Sequence, residues 1–170
     1  MSGASSPRED PSRRIYLRTL CCIRDGDTVL LLRRHKAPNQ GLYNFPGGKI
    51  EPHEDPYEAC LREVHEETGI RIVRPALRAV LTVLTRTTRA QWLLFAFVAA
   101  RPPGSPDPIR TDEGDLRWVP VAEIPDLPVV SDIPLILPHL LTPNGGVLMG
   151  KILSDNDDAD SILDYEFRIS

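Results

Sequence analysis

Apolar residues along this chain fall into separate runs whose spacing changes from strand-like to helical and back. Ile15 to Ile23 and Thr28 to Arg33 are extended apolar runs, and Asp25-Gly26 between them is a hairpin signal. His35 to Leu42 carries Pro38, Asn39 and Gly41 and reads as a loop. Cys60, Leu61, Val64 and Thr68 then recur at helical spacing and predict one buried stripe. Asp55 is placed to cap that helix, Pro56 suits its first position, Glu58 completes a capping box, and Gly69 is placed to end it. Beyond it, Ile72 to Arg86 and Gln91 to Ala100 read as strands, with the break near Thr87-Thr88-Arg89. Residues 101–106 form a Pro-rich loop, and Leu116 to Val119 a short strand. Ser131 or Asp132 is placed to cap a helix running toward Leu141, which Pro138 should kink or shorten. Val147 to Leu153 and Ile162 to Ile169 read as a last strand pair, with residues 155–160 as the turn. Met1 to about Arg14 is Ser, Pro and charge and predicts a disordered tail, leaving 15–170 as one domain.

The helix after Asp55 carries a cost that its hydrophobic stripe does not explain. Glu63, Glu66 and Glu67 stand at i, i+3 and i+4 and crowd one face, where like charges repel. They also lie in the last turns, where the helix dipole disfavours anions by roughly 0.3–1 kcal/mol each when exposed. A bound cation compensates all three, and clustered hard oxygen ligands suit Mg²⁺ or Mn²⁺. A solvated face, with Arg62 paired to Glu66 at i+4, accounts for the same residues. The loop before the helix, Phe45-Pro46-Gly47-Gly48-Lys49, favours the cation: two glycines allow close backbone approach to a ligand, and Lys49 supplies a charge for phosphate.

Residues 48–70 read G-x5-E-x7-R-E-U-x-E-E-x-G-U, where U is a bulky aliphatic. Gly48, Glu54, Arg62, Glu63, Val64, Glu66, Glu67, Gly69 and Ile70 fill every fixed position. The pattern resembles the signature of the Nudix hydrolases. The resemblance implies an α/β/α sandwich with a mixed β-sheet, and Mg²⁺-dependent cleavage of a nucleoside diphosphate linked to another group. It also implies that Glu63, Glu66, Glu67 and the Gly47 carbonyl bind metal. Arg62 would orient a glutamate, and Glu54 would support the loop from behind.

The loop Tyr43-Asn44-Phe45-Pro46-Gly47-Gly48-Lys49 is similar to that of the MutT-type oxidised-purine nucleoside triphosphatases, and Asp160 to Tyr165 resembles the C-terminus of a vertebrate member. Within that resemblance Glu113 takes an extra acidic position and Asp132 the first of two base-reading aspartates. The second is Ile133 here, and the base-stacking aromatic is Val130. Asn44 carries an amide donor and acceptor able to pair with a purine edge. Arg33 and Arg34 end a strand on opposite faces, so at most one enters a site, and Arg33 is the candidate phosphate contact. Either Glu63 or Glu113 serves as general base.

Charge and cysteine content narrow the partners. The net charge of −4 argues against nucleic-acid polymers and anionic membranes, so a polyphosphate must be held by local cations or metal. Three cysteines form no disulfide framework and fit a reducing cytoplasm. The expected protein is a cytoplasmic monomer or dimer acting on small nucleotides. Nucleoside triphosphates such as 8-oxo-dGTP lead, with ADP-ribose, dinucleoside polyphosphates or pyrimidine triphosphates as alternatives. A nucleotide-sensing module without turnover is a reading of another class.

Overall fold

The structure is a computed structural model that describes residues 14–108, 110–156 and 161–170. The expected tail over residues 1–13 lies outside the described residues, as does most of the expected turn at 155–160.

The hairpin signal at Asp25-Gly26 joins β1 (Ile15–Asp25) to β2 (Thr28–Arg34), with Gly26 at φ 60°. The two strands pair only beside the turn, through Arg24 with Val29 and Asp25 with Thr28. They then diverge. β1 runs parallel to β5 (Gln91–Ala100), while β2 runs antiparallel to β6 (Gly114–Pro120) and to the short β3 (Tyr43–Asn44). β4 (Ala76–Thr85), β7 (Leu148–Ser154) and β8 (Ile162–Ile169) extend the sheet to eight strands, ordered β3-β2-β1-β5-β4-β7-β8 with β6 on β2. The sheet is mixed: β1–β5 and β4–β7 are parallel pairs.

Both faces are covered. On one lies α1 (Pro56–Thr68), packing Cys60 and Val64 onto Cys21, Ile23 and Leu30. On the other, α2 (Ile133–Leu141) packs Ile133, Ile136 and Leu140 onto Cys22, Val29 and Leu31. The adjacent Cys21 and Cys22 thus point to opposite faces, as strand alternation requires, and both are buried because each face has its own helix. Burying Val64 completely stabilises by about 1.5–3 kcal/mol.

The α1 stripe is shifted from the expected one. Ala59, Cys60, Val64, Glu67 and Thr68 are buried, and Leu61 is only half-buried. Its limits are those the sequence marks. Asp55 Oδ1 accepts from the Glu58 N–H at 2.8 Å, Glu58 Oε2 accepts from the Asp55 N–H at 3.1 Å, and Gly69 sits at φ 72°.

Elsewhere four expectations change. β4 begins at Ala76, since Ile72 packs under α1 before the strand starts. β6 is longer at both ends because β2 offers it a continuous partner. A 3-10 turn over Val121–Asp126 was not expected. Pro138 removes one rung from α2, which nevertheless runs to Leu141 because its apolar face is fully packed.

Candidate functional site

The divergence of β1 and β2 leaves one edge of β1 without a strand partner, and the glycine loop fills it. The Cys21 N–H donates to the Pro46 carbonyl at 2.8 Å, and the Thr19 N–H to the Gly48 carbonyl at 2.9 Å. Gly47 lies between, at φ 148°, where any Cβ would overlap the Thr19 carbonyl. At Gly48 a Cβ would overlap the Glu63 carboxylate. The first glycine therefore lets the loop lie against β1, and the second lets α1 bring Glu63 against the loop.

Arg62 ties this loop to the helix. Its Nε and Nη2 donate to the two Glu54 oxygens at 2.6 and 2.8 Å, a bidentate pair. Nη2 also donates to the Lys49 carbonyl at 2.9 Å, while Nη1 donates to Glu63 at 2.9 Å and Glu66 at 3.1 Å. The guanidinium beside Glu54 holds that carboxyl at about 2, and the same carboxylates push Arg62 higher still. Glu67 behaves in the opposite way. It is 8% exposed, and burial pushes its carboxyl up to about 7. The Gly47 N–H donating to its Oε2 at 2.8 Å opposes that rise, and the nearby Glu63 and Glu113 carboxylates reinforce it.

Gly47, Gly48, Glu63, Glu66 and Glu67 line a cavity of about 720 Å³, while Arg62 and Glu54 stand behind them. Gly47, Lys49, Glu63, Glu66, Glu67 and Glu113 are all brought together there. Glu113 reaches it through the β2–β6 ladder, which pairs Gly114 with Arg34 and sets Glu113 at the end of β2. Its carboxylate has Lys36 at 4.0 Å. Asn44 and Asp132 line the same cavity, with Phe45, Val130 and Ser131. Asn44 Oδ1 accepts from the Phe45 N–H at 2.8 Å. Asp132 is 8% exposed and among the described residues its Oδ1 has no hydrogen-bond partner; burial pushes its carboxyl up to about 6, opposed by the neighbouring backbone N–H groups of Asp132 and Ile133.

Two placements differ from the sequence reading. Arg33 does not line the cavity: its Nε donates to the Gly41 carbonyl at 3.2 Å, and its guanidinium lies over the Tyr43 ring. Arg34 lines the cavity instead, because it shares with Leu30 the face of β2 that α1 covers. Nor does Asp132 cap α2. It occupies the N-cap position in helical conformation with no side-chain cap bond, and Ser131 Oγ also lacks a partner. Arg18, Thr19 and Ser131 line the cavity without having been singled out as ligands. Strand parity set Arg33 and Arg34 on opposite faces without saying which of them meets the site. Arg18 and Thr19 offered no signal beyond a polar pair in an apolar strand.

The carboxylate donors are hard oxygens, which suit a divalent cation. Among the described residues no three acidic, histidine or cysteine side chains converge on one point, since Glu63 and Glu66 are both turned onto Arg62. The fit rests on the donor chemistry and on Glu67, a buried carboxyl crowded by two others.

A mixed sheet between two helices, with a glycine loop feeding an acidic helix, defines a hydrolase scaffold of the Nudix class. The NUDIX domain family matches residues 16–140, and the chain belongs to it. The uncharacterized Nudix hydrolase YvcI of Bacillus subtilis is 34% identical over 130 residues, covering 75% of this chain and 80% of that protein. A putative 8-oxo-dGTP diphosphatase of the same organism is 30% identical over 105 residues, covering 61% and 64%. Among solved structures, a mutator MutT protein from Bacillus halodurans superposes with a TM-score of 0.76 at 30% identity, covering 89% of this chain and 97% of that one. The chain is thus a Nudix hydrolase, of a family that cleaves phosphoanhydride bonds in small nucleotides and generally uses divalent metal ions. No helix among the described residues is long and apolar enough to cross a membrane.

Proposed function

We propose that this enzyme is a cytoplasmic, Mg²⁺-dependent pyrophosphohydrolase of nucleoside triphosphates. Oxidised purine nucleotides such as 8-oxo-dGTP would be among its substrates, and the products a nucleoside monophosphate and pyrophosphate. The observation that carries this reading is the mixed lining of one cavity. Carboxylates and Arg34 line it together with Asn44 and a buried Asp132 oxygen that has no partner among the described residues. A polyphosphate suits the first set and a hydrogen-bonding base the second.

Mg²⁺ bound by Glu63, Glu66, Glu67 and the Gly47 carbonyl would neutralise phosphate charge and acidify a bound water. Arg62 holds Glu63 and Glu66 at the loop and, through Glu54, keeps the loop on the helix. Arg34 and Lys49, which both line the cavity, are the phosphate contacts, Lys49 once its ammonium leaves Glu51, with which it pairs at 3.2 Å. Glu63 or Glu113 takes the proton from the attacking water. Asp132 and Asn44 pair with the base edge, Asp132 as a donor when its raised carboxyl is protonated. The structural likeness to the Bacillus halodurans MutT protein and the name of the Bacillus subtilis diphosphatase support this choice of substrate.

The test is incubation of the whole chain with Mg²⁺ and a panel of 8-oxo-dGTP, dGTP, pyrimidine triphosphates, ADP-ribose and a dinucleoside polyphosphate, with products separated by chromatography. Release of pyrophosphate from 8-oxo-dGTP ahead of the other compounds is expected. Turnover of ADP-ribose or the dinucleotide with every triphosphate left intact would overturn the reading, as would nucleotide binding without turnover.

A further inference from the structure

The two ends of the sheet are built differently. At one end the outer strand is β6, which covers β2 along its whole length, carries Asp115 and Arg117 and runs from Gly114 to Pro120, features that protect an edge. At the other end β8, ILDYEFRI, is eight residues long and contains no proline, glycine or lysine. Among the described residues nothing pairs with its outer edge. It is also where exposed apolar side chains concentrate. Leu163, Tyr165 and Ile169 on β8 are 50, 51 and 65% exposed, and Met149 and Leu153 on β7 are 45 and 37% exposed. A long edge with exposed apolar side chains and no proline, glycine or lysine is a template for another strand, one whose charges can be matched.

We infer that β8 is a self-association surface, on which a second copy of this chain adds its own β8 antiparallel across a two-fold axis. The register follows from backbone and charge. The Ser170 N–H donates to the Val147 carbonyl, so antiparallel alternation turns the backbone groups of Arg168, Glu166 and Asp164 toward β7. The groups of Tyr165, Phe167 and Ile169 then face the free edge, and the register shift beyond Asp164 ends this alternation before Leu163. A two-fold pairing must join these outward residues to one another. Centring it on Tyr165 sets Asp164 against Glu166, centring it on Glu166 sets Glu166 against itself, and centring it on Arg168 sets Arg168 against itself. Centring it on Phe167 avoids every like-charge contact. Glu166 then faces the second copy's Arg168, twice by symmetry, while Tyr165 faces Ile169 and Phe167 faces Phe167 on the opposite side of the sheet. Phe167 already packs against the core beside α2, so that side continues the apolar layer of each subunit. Within one chain, Glu166 pairs with Lys151 at 2.8 Å and Arg168 at 3.4 Å, but all three side chains are more than half exposed. Such surface pairs are weak and leave the charges available to a partner.

The charge pattern supplies a test that poor folding cannot imitate. The readout is the mass of the full chain by sedimentation equilibrium across concentration, with circular dichroism as the check on fold. Wild type should show a reversible monomer–dimer equilibrium. Glu166→Arg alone sets two arginines opposite each other, and Arg168→Glu alone sets two glutamates opposite each other. Each should weaken dimerisation at least tenfold. An equimolar mixture of the two single variants sets Arg against Glu at both contacts and should restore the dimer, as should the double exchange in one chain. A wild type that stays monomeric throughout overturns the proposal and leaves the edge to a different partner. Single variants that dimerise like wild type, or a mixture that fails to recover, overturn it as well, since the interface would then lie elsewhere or lack this register.

Discussion

The carboxylate cluster and the buried groups around Asp132, which line the same cavity, have opposite hydrogen-bond balances. In the cluster the carboxylates are tied down. Arg62 makes five hydrogen bonds, to Glu54, Glu63, Glu66 and the Lys49 carbonyl, and Glu67 accepts from Gly47. Around Asp132 the buried groups are left open: among the described residues Asp132 Oδ1 and Ser131 Oγ have no partner, and Asn44 uses its Oδ1 on the Phe45 N–H. A closed network fixes geometry for one kind of chemistry, while open buried groups await a ligand that completes them. On the proposed reading, reaction and selection fall to separate residues of one cavity, and each can be broken without the other.

The largest effect is expected from the carboxylate cluster. Chelating divalent ions should reduce hydrolysis to background and added Mg²⁺ should restore it, because the carboxylates alone only add to the phosphates' negative charge. Full activity in excess chelator would contradict the account. Glu67→Gln should lower turnover at least tenfold, about 1.4 kcal/mol of transition-state stabilisation, on every substrate alike. Its stability should move the other way. The Glu67 carboxyl is held at about 7 when folded, above its ordinary value, so its charging opposes folding. That opposition is absent below about pH 4.5, grows as pH rises, and is complete above pH 7. Denaturation of metal-free protein should therefore show the variant more stable than wild type at pH 8 and equal to it at pH 4. Gly48→Ala pushes a methyl group into the Glu63 carboxylate and should cost about 1–3 kcal/mol of transition-state stabilisation while the melting curve stays cooperative.

A smaller effect separates two neighbours. Arg34→Ala should raise KM for triphosphates several-fold with little change in kcat, since Arg34 lines the cavity. Arg33→Ala should leave both constants near wild type, because its guanidinium is spent on Gly41 and Tyr43. Equal losses from the two would erase the distinction between the faces of β2.

What was legible in the sequence follows the same division. The capping box at Asp55 and Glu58, the stop at Gly69 and the carboxylate triplet are local patterns, so residues 48–70 could be read before any folding was known. Asn44 and Asp132 come from β3 and from the residues before α2, and only the tertiary fold brings them to one cavity. Asp132 shows why local rules fail there. Its place before a helix suggests a cap, yet its backbone is already helical and its side chain is buried toward the cavity. The choice between Arg33 and Arg34 turned on which face of β2 received α1, a tertiary fact that strand periodicity does not contain.

The smallest expected effect in the stability measurements comes from Asp132. Its carboxyl is raised to about 6, so its ionisation opposes folding increasingly from about pH 4 and fully above pH 6. Asp132→Asn should gain about 1–3 kcal/mol at pH 7.5 and nothing at pH 3.5, read by chemical denaturation at both values. If Asp132 were paired elsewhere, the variant would lose stability at both.

The same substitution gives the most direct test of the division between reaction and selection. The quantity to measure is the ratio of kcat/KM for 8-oxo-dGTP to that for dGTP, in wild type, Glu67→Gln and Asp132→Asn, at saturating Mg²⁺. The account predicts that Glu67→Gln lowers both constants and leaves the ratio at its wild-type value. It predicts that Asp132→Asn shifts the ratio while the Mg²⁺ dependence of turnover stays as in wild type. An unchanged ratio in Asp132→Asn, or a ratio altered equally by Glu67→Gln, would contradict the separation of reaction from selection.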